Sequence, residues 1–189
     1  MKRRLFVAIA LPEETKEAYL RQARRLAPAW LFARWTRPEN LHLTACFLGD
    51  VEDGALPGLA AALGAAAAAA RPFVLTPDRL ELAPPGRRPP TMIWGAFAES
   101  VEYARLAGEI RRAAGPSAPG MPSEKPSRPH VTLARFASGS RPEGSGRPEQ
   151  PADRPRPFVA GGFSLIESRL ASSGPTYVEL KGFNFTASS

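Results

Sequence analysis

Cysteine and histidine are nearly missing from this chain: Cys46 is the one cysteine in 189 residues, and histidine occurs twice. A lone thiol can neither close an internal disulfide nor anchor a zinc site of the usual spacing, so a reducing compartment, the cytoplasm, is expected. Long apolar runs are absent too. The alanine-rich stretch 60–70 falls well short of the roughly 20 apolar residues that span a bilayer, so no membrane role is expected. The start, MKRRLFVAIALPEET, has the basic-then-apolar order of a secretory leader. Its apolar run, however, stops at Pro12 and is followed by charge, with no small-residue cleavage site, and a leader is not expected.

What remains is the composition of an ordinary globular chain, 43% hydrophobic and 23% charged, despite 21 prolines. Its length suffices for one substantial core, or for two small lobes that share one. We expect a single compact unit and, because no segment looks like a dimerisation helix, a monomer. The formal net charge of +7 favours polyanionic partners. A composition rich in Ala, Gly, Pro and Arg accounts for part of that excess.

Hydrophobic patterning predicts a strand at 4–10, a helix from Glu13 to about Leu26, and a strand at 41–48 closed by Gly49-Asp50. A helix at about 56–70 is followed by strands at 73–82 and 91–98, joined by a Pro- and Arg-rich loop that holds Arg87 and Arg88. A third helix, about 101–114, places Tyr103, Leu106 and Ile110 on one face. A strand at 129–136 leads into a loop at about 137–157, rich in Gly, Pro and Ser and expected to be mobile. The chain closes with a hairpin, 158–170 and 177–185, turning at Ser172-Ser173-Gly174-Pro175. Strands mixed with a few helices imply an α+β fold.

One pattern occurs in both halves. Leu41-His42-Leu43-Thr44 and Pro129-His130-Val131-Thr132 each place His-x-Thr inside an apolar strand, so the only two histidines share the motif. Threonine occurs eight times in the chain, so chance would set it after both histidines with a probability on the order of 0.2%. Side chains alternate across a strand, so each histidine and its threonine share one face while Leu43 and Val131 take the other. Two imidazoles with pKa near 6.5 can supply the base and the acid that opening a cyclic phosphodiester requires. The hydroxyls of Thr44 and Thr132 can hydrogen-bond the non-bridging phosphate oxygens. With only two imidazoles and no acidic cluster beside either, neither a metal nor any other cofactor is expected.

At these motifs the sequence resembles the two-histidine phosphoesterase superfamily, and within it the RNA 2',3'-cyclic 3'-phosphodiesterases, also described as 2'-5' RNA ligases. The resemblance runs through nearly the whole chain. It includes Arg4-Leu5-Phe6-Val7-Ala8-Ile9 with Leu11-Pro12, Trp35 ahead of Asn40-Leu41-His42-Leu43-Thr44, and Phe47-Leu48-Gly49-Asp50-Val51. It continues through Pro129-His130-Val131-Thr132-Leu133-Ala134-Arg135 to Ser168-Arg169-Leu170 and Gly174-Pro175-Thr176-Tyr177. It implies a bilobal α+β fold, two antiparallel sheets facing across a central cleft with helices outside. It also implies opening of RNA 2',3'-cyclic phosphate termini to 2'-phosphates, with RNA ends or cyclic nucleotides as partners and reversible 2'-5' RNA ligation beside it. By similarity His42 is the proton donor and His130 the acceptor. Ala45 and Cys46 depart from the family's pattern.

Other residues have two readings. Alternation points Arg135 away from His130 unless a bulge re-aims it; on the cleft side it would contact phosphate. Alternation also puts Cys46 on the His42 face, where a small buried hydrophobe is expected before a reactive thiol, and turns Phe47 into the core, where Phe136 is expected to pack as well. Trp35 and Trp94 are candidates for stacking on a base. The rival functions are a non-catalytic RNA-binding module and a phosphodiesterase for ADP-ribose cyclic phosphate or 2'-5' oligoadenylate.

Overall fold

The computed structural model describes residues 1–85, 89–122, 128–136, 148–151, 153–171 and 174–186. Among them the chain forms β1 (Lys2–Ala10), α1 (Glu13–Leu26), β2 (Ala33–Trp35), β3 (His42–Glu52), α2 (Leu56–Ala69), β4 (Phe73–Leu75) and β5 (Pro77–Ala83). It continues with β6 (Met92–Phe97), α3 (Val101–Ala114), β7 (His130–Phe136), β8 (Phe158–Ala160), β9 (Gly162–Ala171) and β10 (Gly174–Asn184). The fold class is the expected α+β, with two antiparallel sheets and three α-helices. The larger sheet has eight strands in the order β10-β9-β1-β3-β7-β6-β5, with β2 added to the edge of β7; β4 and β8 form the smaller.

The elements differ from the sequence expectation where the chain changes partner. The strand expected at 73–82 divides at Thr76 and the one expected at 158–170 divides at Gly161, because β4 and β8 leave the large sheet to pair with each other. β3 does not stop at Gly49. Gly49 takes a φ of 75°, a left-handed conformation open to glycine, and the strand runs on to Glu52 with Leu48 as an extra residue against β1. The final hairpin pairs β9 with β10 as expected, but Gly174 and Pro175, expected in the turn, already belong to β10, and Ser172 and Ser173 lie outside the described residues.

Sequence chemistry explains the helices. Glu13 and Glu14 open α1 while Arg24 and Arg25 close it, matching the helix dipole at both ends. Ser100 caps α3 by accepting from the Tyr103 backbone N–H, and Tyr103, Leu106 and Ile110 are all buried. α2 and α3 pack together, α3 against β3 and α2 against β9 and β10. α1 instead lies beneath β6. A Cβ on Gly95 would come within 2.4 Å of the Tyr19 ring, so the ring sits directly on the β6 backbone and Gly95 is required for that approach.

The loop expected to be mobile falls partly outside the described residues, as do Arg87 and Arg88. Its described part is tied down. The Gln150 side chain accepts from Leu80 N–H at 2.9 Å and donates to Leu80 O at 2.8 Å, as an added strand would. Asp153 sits against Arg21 and Arg25 of α1. Among the described residues no helix is long and apolar enough to cross a membrane.

Candidate active site

The two motif strands touch at a single register pair, Leu43 with Val131, each completely buried. Antiparallel pairing about that point sets His42 opposite Thr132 and Thr44 opposite His130. All four side chains share one face, and the histidines become diagonal neighbours, about 7 Å apart at their Cβ atoms. Beyond this pair the edge of β7 is taken by β2, where Arg34 faces Arg135 and Trp35 faces Ala134.

Both motif strands then carry a bulge at the same place. In β3, Val7 pairs with Cys46 and Ala8 with Thr44, which leaves Ala45 as the extra residue. In β7, Ile93 pairs with Ala134 and Trp94 with Thr132, which leaves Leu133 extra. A bulge adds one residue and so reverses the alternation after it. Its consequences are visible in burial. Ala45 and Cys46 are both buried, as are Leu133 and Ala134, and the next residues, Phe47 and Arg135, emerge exposed on the histidine face.

A bulge also frees backbone groups that need partners. The Thr44 carbonyl accepts from the Tyr103 hydroxyl at 2.8 Å. The Thr132 carbonyl accepts from the Thr36 hydroxyl at 2.7 Å, and Thr36 N–H donates to Leu133 O at 2.8 Å. Each motif thus has its own hydroxyl anchor from a distant element.

The imidazoles are set alike. His42 Nδ1 lies 2.8 Å from Asn40 O, and His130 Nδ1 lies 2.8 Å from Arg128 O. A carbonyl can only accept, so both Nδ1 atoms carry hydrogen and both Nε2 atoms keep a free lone pair in the neutral ring. The His42 Nε2 accepts from the Thr44 hydroxyl at 2.9 Å. Asn40, itself buried, is held in turn by donating to Pro175 O at 2.9 Å.

Rings fix each imidazole from the side. Phe6 lies 4.9 Å from His42 and Tyr177 meets it edge-on at 5.2 Å. Trp94 stacks on His130 with centroids 3.6 Å apart and planes 16° from parallel. Burial pushes the His42 pKa down to about 4, helped by the positive charge of Arg135 and by His130. Burial and Arg135 lower His130 as well. Both rings are therefore neutral at pH 7 with nothing bound.

His42, Thr44, His130, Thr132 and Arg135 come together on one face. Trp35 does not join them: it shares a face with Ala33, and both pack against the core. Trp94 is buried beneath His130, so its ring supports the imidazole and does not offer an open face to a base. Cys46 is turned inward by the bulge and lies against Met121 at 3.5 Å. Phe136 packs on Trp30 as expected, whereas Phe47 is 47% exposed, contrary to the alternation. Sequence reasoning missed Phe6, Tyr177, Thr36 and Tyr103. The two tyrosines stood in sight, one in a helix face and one in a quoted motif, yet nothing in the sequence tied either to a histidine. Among the described residues no three His, Cys, Asp or Glu side chains group as a metal site. A small cavity lined by Tyr19, Gln22, Leu80 and Gln150 involves none of these site residues.

This fold and this face define a phosphoesterase. The family described as LigT like Phosphoesterase matches residues 9–94. The RNA 2',3'-cyclic phosphodiesterase of Thermus thermophilus is 32% identical over 96% of this chain and 89% of its own. That of Bacillus subtilis is 27% identical over 96% of both chains. The crystal structure of E. coli LigT complexed with 3'-AMP superposes with a TM-score of 0.80, at 28% identity over 98% of this chain and 99% of that one. E. coli LigT has also been crystallised with ATP and with NADP+. The chain belongs to this family of LigT-like cyclic phosphodiesterases, enzymes that hydrolyse phosphodiester bonds.

Proposed function

We propose that this protein opens the 2',3'-cyclic phosphate at an RNA end to a 2'-phosphate, with His42 as general acid and His130 as general base. The observation that carries the assignment is the matched pair of imidazoles on a common face, each with Nδ1 committed to a backbone carbonyl, which leaves Nε2 for proton transfer, that of His42 beside the Thr44 hydroxyl. Water attacks phosphorus and forms a new P–O bond while His130 Nε2 takes its proton. The P–O3' bond breaks opposite, and His42 Nε2 delivers a proton to the departing O3'. Thr44 and Thr132 hydrogen-bond non-bridging oxygens, and Arg135 opposes their negative charge. A phosphate anion between the rings favours an imidazolium against the burial and the repulsion that lower both pKa values, so binding itself favours the protonated acid.

With the 5'-hydroxyl of a second RNA in place of water, the same ring opening joins two ends, which is 2'-5' ligation. His130 takes the hydroxyl proton, a P–O5' bond forms, the P–O3' bond breaks and His42 protonates O3'. The two histidines exchange roles when that linkage is cleaved again. The chemistry needs neither metal nor nucleotide cofactor. We place the protein in the cytoplasm, a reading supported by its single, buried thiol, and take it to act as a monomer.

The test is product analysis by phosphorus NMR with EDTA-treated enzyme and adenosine 2',3'-cyclic phosphate, for wild type, His42→Ala and His130→Ala. The expected result is 2'-AMP alone from wild type and no turnover by either variant. A 3'-phosphate product would reverse the assigned leaving group. Inactivity of wild type here and on a cyclic-phosphate-ended RNA would leave a binding module in place of an enzyme.

A further inference from the structure

Arg34 of β2 and Arg135 of β7 stand directly opposite each other in antiparallel register. Residues so paired share a face, with Cβ atoms about 5 Å apart, and like charges there destabilise the sheet. The neighbouring residues fix which face this is. Ala33, Trp35 and Phe136 pack against the core, so Arg34 and Arg135 project from the opposite, histidine-bearing side, both exposed. Among the described residues neither guanidinium pairs with a carboxylate, whereas elsewhere on the surface arginines do, as at Arg3–Asp53 and Arg25–Asp153. The contact recorded for Arg135 is with the Met92 sulfur at 3.0 Å, a weak acceptor that a phosphate oxygen would readily displace.

Two guanidinium forks held side by side, neither neutralised by a carboxylate among the described residues, suit two neighbouring phosphates. Arg135 is near enough to both imidazoles to lower their pKa values, so it serves the reacting phosphate. Arg34 lies across from it, about 4.8 Å along the sheet, on the edge of β7 that β3 also occupies. We propose that Arg34, beside Arg135, binds the internucleotide phosphate immediately 5' of the terminal nucleotide. The substrate is then a polynucleotide end in preference to a free cyclic nucleotide. This rests on the cyclic phosphodiesterase reading above and adds to it a second anion site and the residue that reads it.

The measurement is the ratio of kcat/KM for a dinucleotide ending in a 2',3'-cyclic phosphate to kcat/KM for adenosine 2',3'-cyclic phosphate. Arg34→Gln is expected to lower that ratio about tenfold, the effect of losing one charge-assisted contact, and Arg34→Lys to restore part of it. A dinucleotide whose internucleotide phosphate is an uncharged methylphosphonate should lower the ratio in wild type and be insensitive to Arg34→Gln. An Arg34→Gln effect equal on both substrates, or a wild-type ratio near one, would overturn the subsite while leaving the activity intact. Wild-type inactivity on both substrates would instead sink the activity reading, and the subsite with it.

Discussion

His42 and His130 are neutral at rest because burial disfavours the imidazolium and because Arg135, aimed at them by a bulge, repels it. The pH dependence of kcat/KM follows from the free enzyme's pKa values. A reaction that needs one imidazolium and one neutral imidazole runs fastest between the two pKa values and falls as pH rises above both. With His42 at about 4 and His130 also lowered, the maximum should lie on the acid side of neutrality. Arg135→Gln removes a positive charge from the vicinity of both rings, so both pKa values rise and the profile moves to higher pH, even though turnover drops. Because the chain has only two histidines, the ring resonances can be followed directly by proton NMR titration in wild type and variant. Unchanged titrations would mean that Arg135 acts on substrate alone.

At the scale of elements, the site depends on two bulges that no periodicity could announce. Without them Arg135 and Phe47 would face the core, and a sequence reading by strict alternation places them there. The histidine and threonine positions were legible, because they lie before the extra residue, where period two still holds. Cys46, Phe47, Arg135 and Phe136 lie after it, and the alternation fails for all four. β2 was illegible for a different reason: three residues are too few to show a period. Each bulge is held by one hydroxyl, Tyr103 on the Thr44 carbonyl and Thr36 on the Thr132 carbonyl. Tyr103→Phe and Thr36→Val should each cost about 1–2 kcal/mol in urea unfolding, the penalty for a backbone carbonyl left without its partner. Both should also lower kcat, since the freed carbonyl belongs to the threonine of its motif. A loss of stability with kcat untouched would show that the anchors hold the sheet without setting the site.

For the whole molecule, the helices run against the repeat. α1 follows β1 yet lies beneath β6, while α3 follows β6 yet packs on β3, where Tyr103 reaches Thr44. The duplicated motif suggests two lobes that could separate, but each half of the sheet is backed by a helix that the other half's strand delivers. The single Leu43–Val131 pair would be a thin hinge if nothing else joined them. We therefore propose one cooperative domain, and the residue distribution offers a clean measurement. Trp30 stacks on Phe136 of β7, Trp35 lies in β2 beside it and Trp94 in β6, so tryptophan fluorescence reports the β7 half alone. Cys46, the lone and buried thiol, lies in β3 and reports the other half through its reactivity with a thiol reagent. In a urea titration both probes should give one midpoint and one slope, the mark of two-state unfolding. If Cys46 became reactive at a urea concentration where the tryptophan signal was still native, the crossed helices would not couple the halves and the chain would be two domains.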